Sequence, residues 1–336
     1  EASALTSRYR KLLMACRAAK TGWTNPDFIV CNALPTTQLF IDTPFVGSPV
    51  NEVNMSLAKR ESESTQLIVL PVRGDLKQLQ ISAEDPVGPN GEKLQIELSR
   101  MGYVNTVKPP TDVTKVGLWP DPLLKPTAFD VPSDELRCVW VRVNAPAGVS
   151  AGDYKGSVTL IPTGSNPVKI VVKAHVWNIE LPLKPYLPTA FSLHLSMLAE
   201  VYGSKHYEAF MNYTDEMLRN RIAPSYNSTK AWYPDINFSY KNKPEQLTTP
   251  SLWDKTEDYI RHCNSLGFSG FYDICYLDKM YDGTYPQDYT EATMRFLRSI
   301  VPNLKSKGLI DQVGIYAWDE IEPENYHKHV DIAKVI

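Results

Sequence analysis

The segment LPLKPYLP, residues 181–188, constrains the fold of this chain more than any other feature, because it places three prolines in eight residues. Proline locks φ and removes a backbone donor, so neither a helix nor the interior of a sheet runs through such a stretch. We read residues 182–188 as a linker, and the chain changes character across it. Of 18 tyrosines, 15 lie after residue 185. The two sides answer to different packing demands.

Ahead of the linker, residues 1–24 form an N-terminal helical segment in which Tyr9, Leu12, Leu13 and Cys16 share one face of an amphipathic helix. Residues 25–181 then alternate short apolar runs, among them QLIVLPV, LRCVWVRV, YKGSVTLI and VKIVVKAHVW, with Pro/Gly/Asp/Asn turn clusters. In LRCVWVRV, Val139, Val141 and Val143 fall on one strand face and Cys138 and Trp140 on the other. Many short strands at this spacing predict an antiparallel β-sandwich domain.

Beyond the linker, residues 189–336 alternate strand and helix patterns. FSLHLS (191–196), IAPSYN (222–227), FSGFYDICYL (268–277) and VGIYAW (313–318) read as strands, the last as a buried one. His206–Asn220 and Asp288–Lys307 read as helices, the second with a bend expected at Pro302. A stripe of Trp253, Thr256, Ile260, Cys263 and Leu266 marks another helix, which stops at Gly267. Pro323 opens a last helix at a favoured first-turn position. Four strand–helix units amount to half of a (β/α)8 barrel, which takes ~250 residues. A doubly wound sheet fits the alternation equally well. The chain begins at Glu1, and His327–Ile336 still reads as a helix without a stop, so we expect a truncated barrel in a longer polypeptide.

Composition excludes several classes. The net charge of -3 with scattered Lys and Arg gives no basic stripe for nucleic acid. No apolar run approaches the ~18 residues of a membrane span. The five cysteines are dispersed, without CxxC or zinc spacing. There is no P-loop, GxGxxG or GxSxG, and His327 and His329, two apart on a helix, point to different faces. We therefore expect no metal and no organic cofactor. Asn-X-Ser/Thr patterns at Asn54, Asn212, Asn227 and Asn237 point towards a secreted or extracytoplasmic protein.

The candidate chemistry lies at Asp319-Glu320, where the fourth strand gives way to its loop. In α/β architectures that edge displays catalytic groups. Two adjacent carboxylates repel, so one tends to hold its proton while the other ionises. That division suits a glycosidase, in which an acid protonates the leaving oxygen and an anion supports developing positive charge. The competing reading places both acids, with Glu322 and Glu324, as favourable charges at the start of the next helix. The aromatics Trp232, Tyr272, Tyr276, Tyr285 and Trp318 are candidate sugar platforms, and His194 a candidate partner for a sugar hydroxyl. For all of them core packing is the simpler reading.

Three motifs in order, GLWPDPLL (117–124), LRCVWVRVNAPAGVSAGDYKGSVTL (136–160) and YAWDEIEPENY (316–326), resemble glycoside hydrolase family 123 and its wider relatives. The resemblance runs from about residue 58 onward. It implies a β-sandwich followed by a (β/α)8 catalytic barrel. It also implies removal of terminal β-linked N-acetylgalactosamine, or a related N-acetylhexosamine, from glycans or glycolipids. The implied mechanism is retaining and substrate-assisted: Asp319 would orient the 2-acetamido group and Glu320 would act as general acid, then base. The family usually has proline after the acidic pair, where this chain has Ile321. Two other readings stand beside this one, a non-catalytic carbohydrate-binding protein on the same scaffold and a glycosidase with a carboxylate nucleophile.

Overall fold

A computed structural model describes residues 2–43, 47–107, 115–225, 250–276, 287–316 and 321–335. The chain divides into two compact units, Glu1–Leu181 and Pro182–Ile336.

The first unit opens with helix α1 (Ala2–Thr21) and continues through ten strands. These are β1 (Phe28–Ala33), β2 (Glu52–Lys59), β3 (Ser62–Pro71), β4 (Leu76–Val87), β5 (Gln95–Thr106), β6 (Gly117–Leu124), β7 (Phe129–Val131), β8 (Arg137–Asn144), β9 (Gly152–Thr163) and β10 (Val168–Glu180). One sheet runs β1-β3-β8-β5-β6 and the other β2-β10-β9-β4-β7. Alternation of apolar residues along the strands turns one face of each sheet into a shared core: Val139, Val141 and Val143 of β8 meet Val158 and Leu160 of β9 and Ile170, Val172 and Val176 of β10. Each such fully buried side chain contributes roughly 1.5–3 kcal/mol. One pair departs from the antiparallel expectation, since edge strand β2 runs parallel to β10.

The opposite face of the first sheet is covered by α1. Met14 and Ala18 pack there on Ile29, Cys31, Ile68, Leu70 and Cys138. This corrects the expected stripe: Tyr9 and Leu12 are 67% and 65% exposed, and Cys16 is exposed as well. A small Ala and a flexible Met allow the helix to lie close on a sheet.

AGDYKG, the middle of the second motif, is structural. A Cβ at Gly156 would lie 2.4 Å from the Glu84 carbonyl oxygen on the adjacent strand β4. Two residues earlier, Tyr154 is 1% exposed and donates from its hydroxyl to the Ser150 carbonyl at 2.8 Å.

The second unit begins with the proline-rich segment, which is tied to that unit's own residues. Pro182 O accepts from Arg221, and Pro185 O and Leu187 O accept from Ser269. Next come β11 (Phe191–Ser192), α2 (Leu195–Tyr202), a 3-10 turn (Gly203–Lys205), α3 (His206–Arg219), β12 (Pro224–Ser225) and α4 (Pro250–Ser265). β13 (Tyr272–Tyr276), α5 (Gln287–Ser306), β14 (Val313–Tyr316), a 3-10 turn (Pro323–Asn325) and α6 (Tyr326–Val335) complete it. β11 pairs in parallel with β12, and β13 with β14. Mixed α/β architecture is thus present, but no closure into a barrel is found among the described residues.

The strands are shorter than the sequence suggested. FSLHLS yields only Phe191–Ser192, because His194 stands at the start of α2, whose Leu198 joins the core with Leu193. FSGFYDICYL becomes a strand only at Tyr272. VGIYAW is a strand to Tyr316, and Val313, Gly314 and Ile315 are half-buried rather than buried, facing an apolar groove of about 640 Å³ shared with Met294, Leu297 and Val301 of α5. α5 continues through Pro302.

Three helix ends share one device. Gly267 N donates to Asn264 O and Phe268 N to Cys263 O; Gly308 N donates to Lys305 O and Leu309 N to Leu304 O. Arg221 N and Ile222 N do the same to Leu218 O and Met217 O. This is the Schellman pattern, which needs a left-handed residue. Gly267 and Gly308 have φ of 86° and 67°, while Arg221 takes 63° despite its side chain. The bond from Arg221 to Pro182 O, 3.0 Å, gives the guanidinium a reason to be there.

Candidate functional site

The core of the second unit sets the direction of its strand ends. Ile260 and Cys263 of α4 are fully buried with Phe210, Tyr259, Phe268 and Tyr272. Phe268 and Tyr272 stack at 3.9 Å. The Tyr272 hydroxyl donates to Ile260 O at 3.3 Å and Asn264 Oδ1 at 3.1 Å, and burial pushes its pKa well above the ordinary tyrosine range. Tyr272 is 1% exposed, so this candidate sugar platform is a core residue. Cys263 is likewise pushed up by burial, to about 12, which marks a packed thiol rather than a nucleophile.

Parallel pairing brings the C-terminal ends of β13 and β14 to one edge, with Tyr276 in register with Tyr316. The chain leaves β14 there and is described again from Ile321. Trp318, Asp319 and Glu320 lie outside the described residues, as do Trp232 and Tyr285. The backbone of Tyr276 therefore stands at the edge where β14 ends. His194 sits two residues past the end of β11, in the other strand pair. It is half-buried and extended (φ −88°, ψ 107°), and its carbonyl accepts from Leu198 N at 3.2 Å.

After the acidic pair the chain turns before it becomes helical. Glu322 is extended, with φ −65° and ψ 136°, and its carbonyl accepts from Asn325 N at 2.9 Å. Pro323 opens the 3-10 turn and α6 begins only at Tyr326. On α6, His327 is exposed and His329 is 3% exposed, so the two histidines do point apart.

One interaction was invisible in sequence: His262 Nε2 and Asp215 Oδ1 meet at 2.6 Å, linking α4 to α3 across 47 positions. No local spacing signals a pair that far apart. Among the described residues there is no cluster of three or more His, Cys, Asp or Glu arranged for a metal, and no helix long and apolar enough to cross a membrane.

Residues 48–161 match the family described as Glycoside hydrolase 123 N-terminal domain. No curated protein matches the sequence. Among solved structures, the chain is similar to a family 123 glycoside hydrolase from Clostridium perfringens studied for glycolipid glycan hydrolysis. Identity is 14%, the TM-score is 0.66, and the match covers 92% of this chain and 61% of that one. The chain thus spans about three fifths of that hydrolase. A Bacteroides ovatus GH5 xyloglucanase in complex with a XXXG heptasaccharide aligns at 10% identity over 84% of this chain and 59% of its own, with a TM-score of 0.27 that carries no weight. The sequence match over residues 48–161 and the fold likeness over 92% of the chain together establish the resemblance to glycoside hydrolase family 123.

Proposed function

We propose that this chain belongs to a glycoside hydrolase that removes terminal β-linked N-acetylgalactosamine, or a related N-acetylhexosamine, from glycans or glycolipids with retention of configuration. One observation carries the assignment of Asp319 and Glu320 to chemistry rather than to helix capping. α6 begins at Tyr326, six residues beyond Glu320, and Glu322 and Glu324 already occupy the turn ahead of it. The pull of a helix N-terminus on an anion fades within its first turn. In sequence, Asp319 comes three residues after Tyr316, where the parallel-paired strand β14 ends, and the ends of such strands are where α/β folds display reacting groups.

The resemblance to family 123 supplies the proposed mechanism. Glu320 protonates the glycosidic oxygen as the bond from C1 breaks. The carbonyl oxygen of the substrate's own 2-acetamido group closes on C1 to give an oxazolinium ion, an intramolecular attack favoured by its high effective concentration. Asp319 accepts from the acetamido N–H and stabilises the positive charge that develops there. Water, deprotonated by Glu320, then opens the ring on the same face from which the aglycone left. Tyr276, Trp318 and His194 are the proposed contacts to the sugar. The sequons lead us to place the protein outside the cytoplasm.

The test is turnover of aryl 2-acetamido-2-deoxy sugars by the full-length natural polypeptide. Thiazoline compounds that mimic the oxazolinium should inhibit competitively and tightly; a carboxylate-nucleophile enzyme would ignore them. Glycan binding without product, unchanged in Glu320→Gln, would make the protein a lectin-like binder and overturn the proposal.

A further inference from the structure

The outer face of the second sandwich sheet holds an arrangement that packing does not require. On β10, Lys173, His175 and Trp177 point outward; Asn54 and Ser56 do so on β2, and Asp153 and Lys155 on β9. The registers set these side by side, with Lys173 opposite both Asn54 and Lys155, and His175 opposite both Ser56 and Asp153. Asn54, Asp153, Lys155, Lys173 and His175 line a depression of about 480 Å³, and Trp177 stands beside it, two residues past His175 on β10. That volume is within the roughly 300–1,000 Å³ of small-ligand sites.

Two features are costly for a surface that only faces water. Trp177 leaves 53% of its surface exposed. Its indole is nevertheless held in place: Nε1 donates to Ser56 Oγ at 2.6 Å, and the ring meets His175 edge-on at 4.5 Å. Lys155 and Lys173 stand directly opposite each other, a like-charge pairing that destabilises a sheet.

The charges also say what would bind. Lys173 pairs with Glu52 at 2.7 Å, and His175 Nδ1 meets Asp153 Oδ1 at 2.7 Å. Charge on the patch is therefore largely balanced, and a phosphate or sulfate gains little there. What remains is a fixed aromatic ring beside closely set donors and acceptors: ammonium, amide, imidazole and carboxylate. A neutral saccharide matches this combination, with apolar C–H faces for the ring and hydroxyls that both donate and accept. Trp177 lies four residues along β10 from Lys173, about 13 Å at the rise of a strand, so the patch suits an oligosaccharide rather than a single sugar.

We infer that this sheet face, with Trp177 as platform and Asn54, Asp153, Lys155, Lys173 and His175 as polar partners, is a second, non-catalytic binding site for neutral oligosaccharide chains. It shares with the proposed function only the premise of a glycan ligand.

The experiment applies the full chain, produced without N-glycosylation because Asn54 begins an Asn-X-Ser pattern, to an array of neutral cello-, xylo-, chito- and N-acetylgalactosamine-terminated oligosaccharides beside sulfated counterparts. The tightest neutral probe is then titrated calorimetrically into the chain and its variants. Trp177→Ala should weaken this binding about tenfold, the equivalent of ~1.4 kcal/mol, with an unchanged unfolding midpoint. Lys155→Ala should weaken it less, with a midpoint no lower than that of the wild type, since it relieves the like-charge pair. Retention of no neutral probe, preference for the sulfated ones, or wild-type affinity in Trp177→Ala would each overturn the inference. Hydrolysis of an aryl 2-acetamido sugar reads the other proposal separately, since Trp177→Ala should leave it untouched and its absence would leave the binding result standing.

Discussion

The two units solve the same problem with opposite proportions of strand and helix. In the sandwich, strands reach 13 residues and the backbone ladders span both sheets. In the second unit no described strand exceeds five residues, while helices reach 20. A long strand buries alternate side chains against a second sheet and leaves the others on an outer face. A short strand contributes few core residues, and its end soon passes the chain to a loop. The first design gives a rigid body with spare surface; the second gives edges at which reacting groups can be displayed.

The largest expected effect tests the edge. Glu320→Gln should lower kcat/KM for substrates with poor leaving groups by roughly 10²–10⁴ and spare those with good ones, and Asp319→Asn should lose a comparable factor on every substrate. Normal turnover by both would remove the catalytic contrast between the units.

The independence of the two cores comes next. Phe28 in the sandwich and Phe210 in the second unit are both 0% exposed. Each Phe→Ala replacement should cost about 3–5 kcal/mol. Scanning calorimetry should show two transitions, with each variant lowering its own. A single transition displaced equally by both would mean that the units fold as one.

A smaller effect is expected inside the sandwich alone. Gly156→Ala forces β9 away from the Glu84 carbonyl and should cost about 1–3 kcal/mol, read as a lower denaturant midpoint for the first unit only. If the midpoint holds, the close approach of β9 and β4 is softer than the geometry indicates.

The smallest effect belongs to the helices. Glu257 of α4 is bonded by Lys307 and by Arg261, and both hold its carboxyl below the ordinary value of 4.5, Lys307 the more. A carboxyl lowered in the folded state stabilises above its unfolded value, and that contribution is lost as pH falls through the folded one. Glu257→Gln should therefore cost about 0.5–1 kcal/mol near neutral pH and nothing in strong acid. A loss that persists at pH 2 would point to packing instead.

Much of this was legible locally. The alternation in LRCVWVRV determined which face of β8 enters the core, and Gly267 and Gly308 announced their helix ends, because strand faces and left-handed turns depend on neighbouring residues alone. The same kind of reading failed for α1. Its most apolar stripe, with Tyr9 and Leu12, faces solvent, and Met14 and Ala18 were chosen by the sheet they touch. Strand lengths were overread for a related reason: Leu193 and Leu195 look like strand residues until the start of α2 is seen. The acidic pair Asp319-Glu320 could be read from the sequence only beside a competing helix-capping reading, and both acids lie outside the described residues. His175 beside Asp153, Trp177 on Ser56 and His262 with Asp215 were decided only in three dimensions. Periodicity reports which way a side chain points, and only the folded chain decides what it meets there.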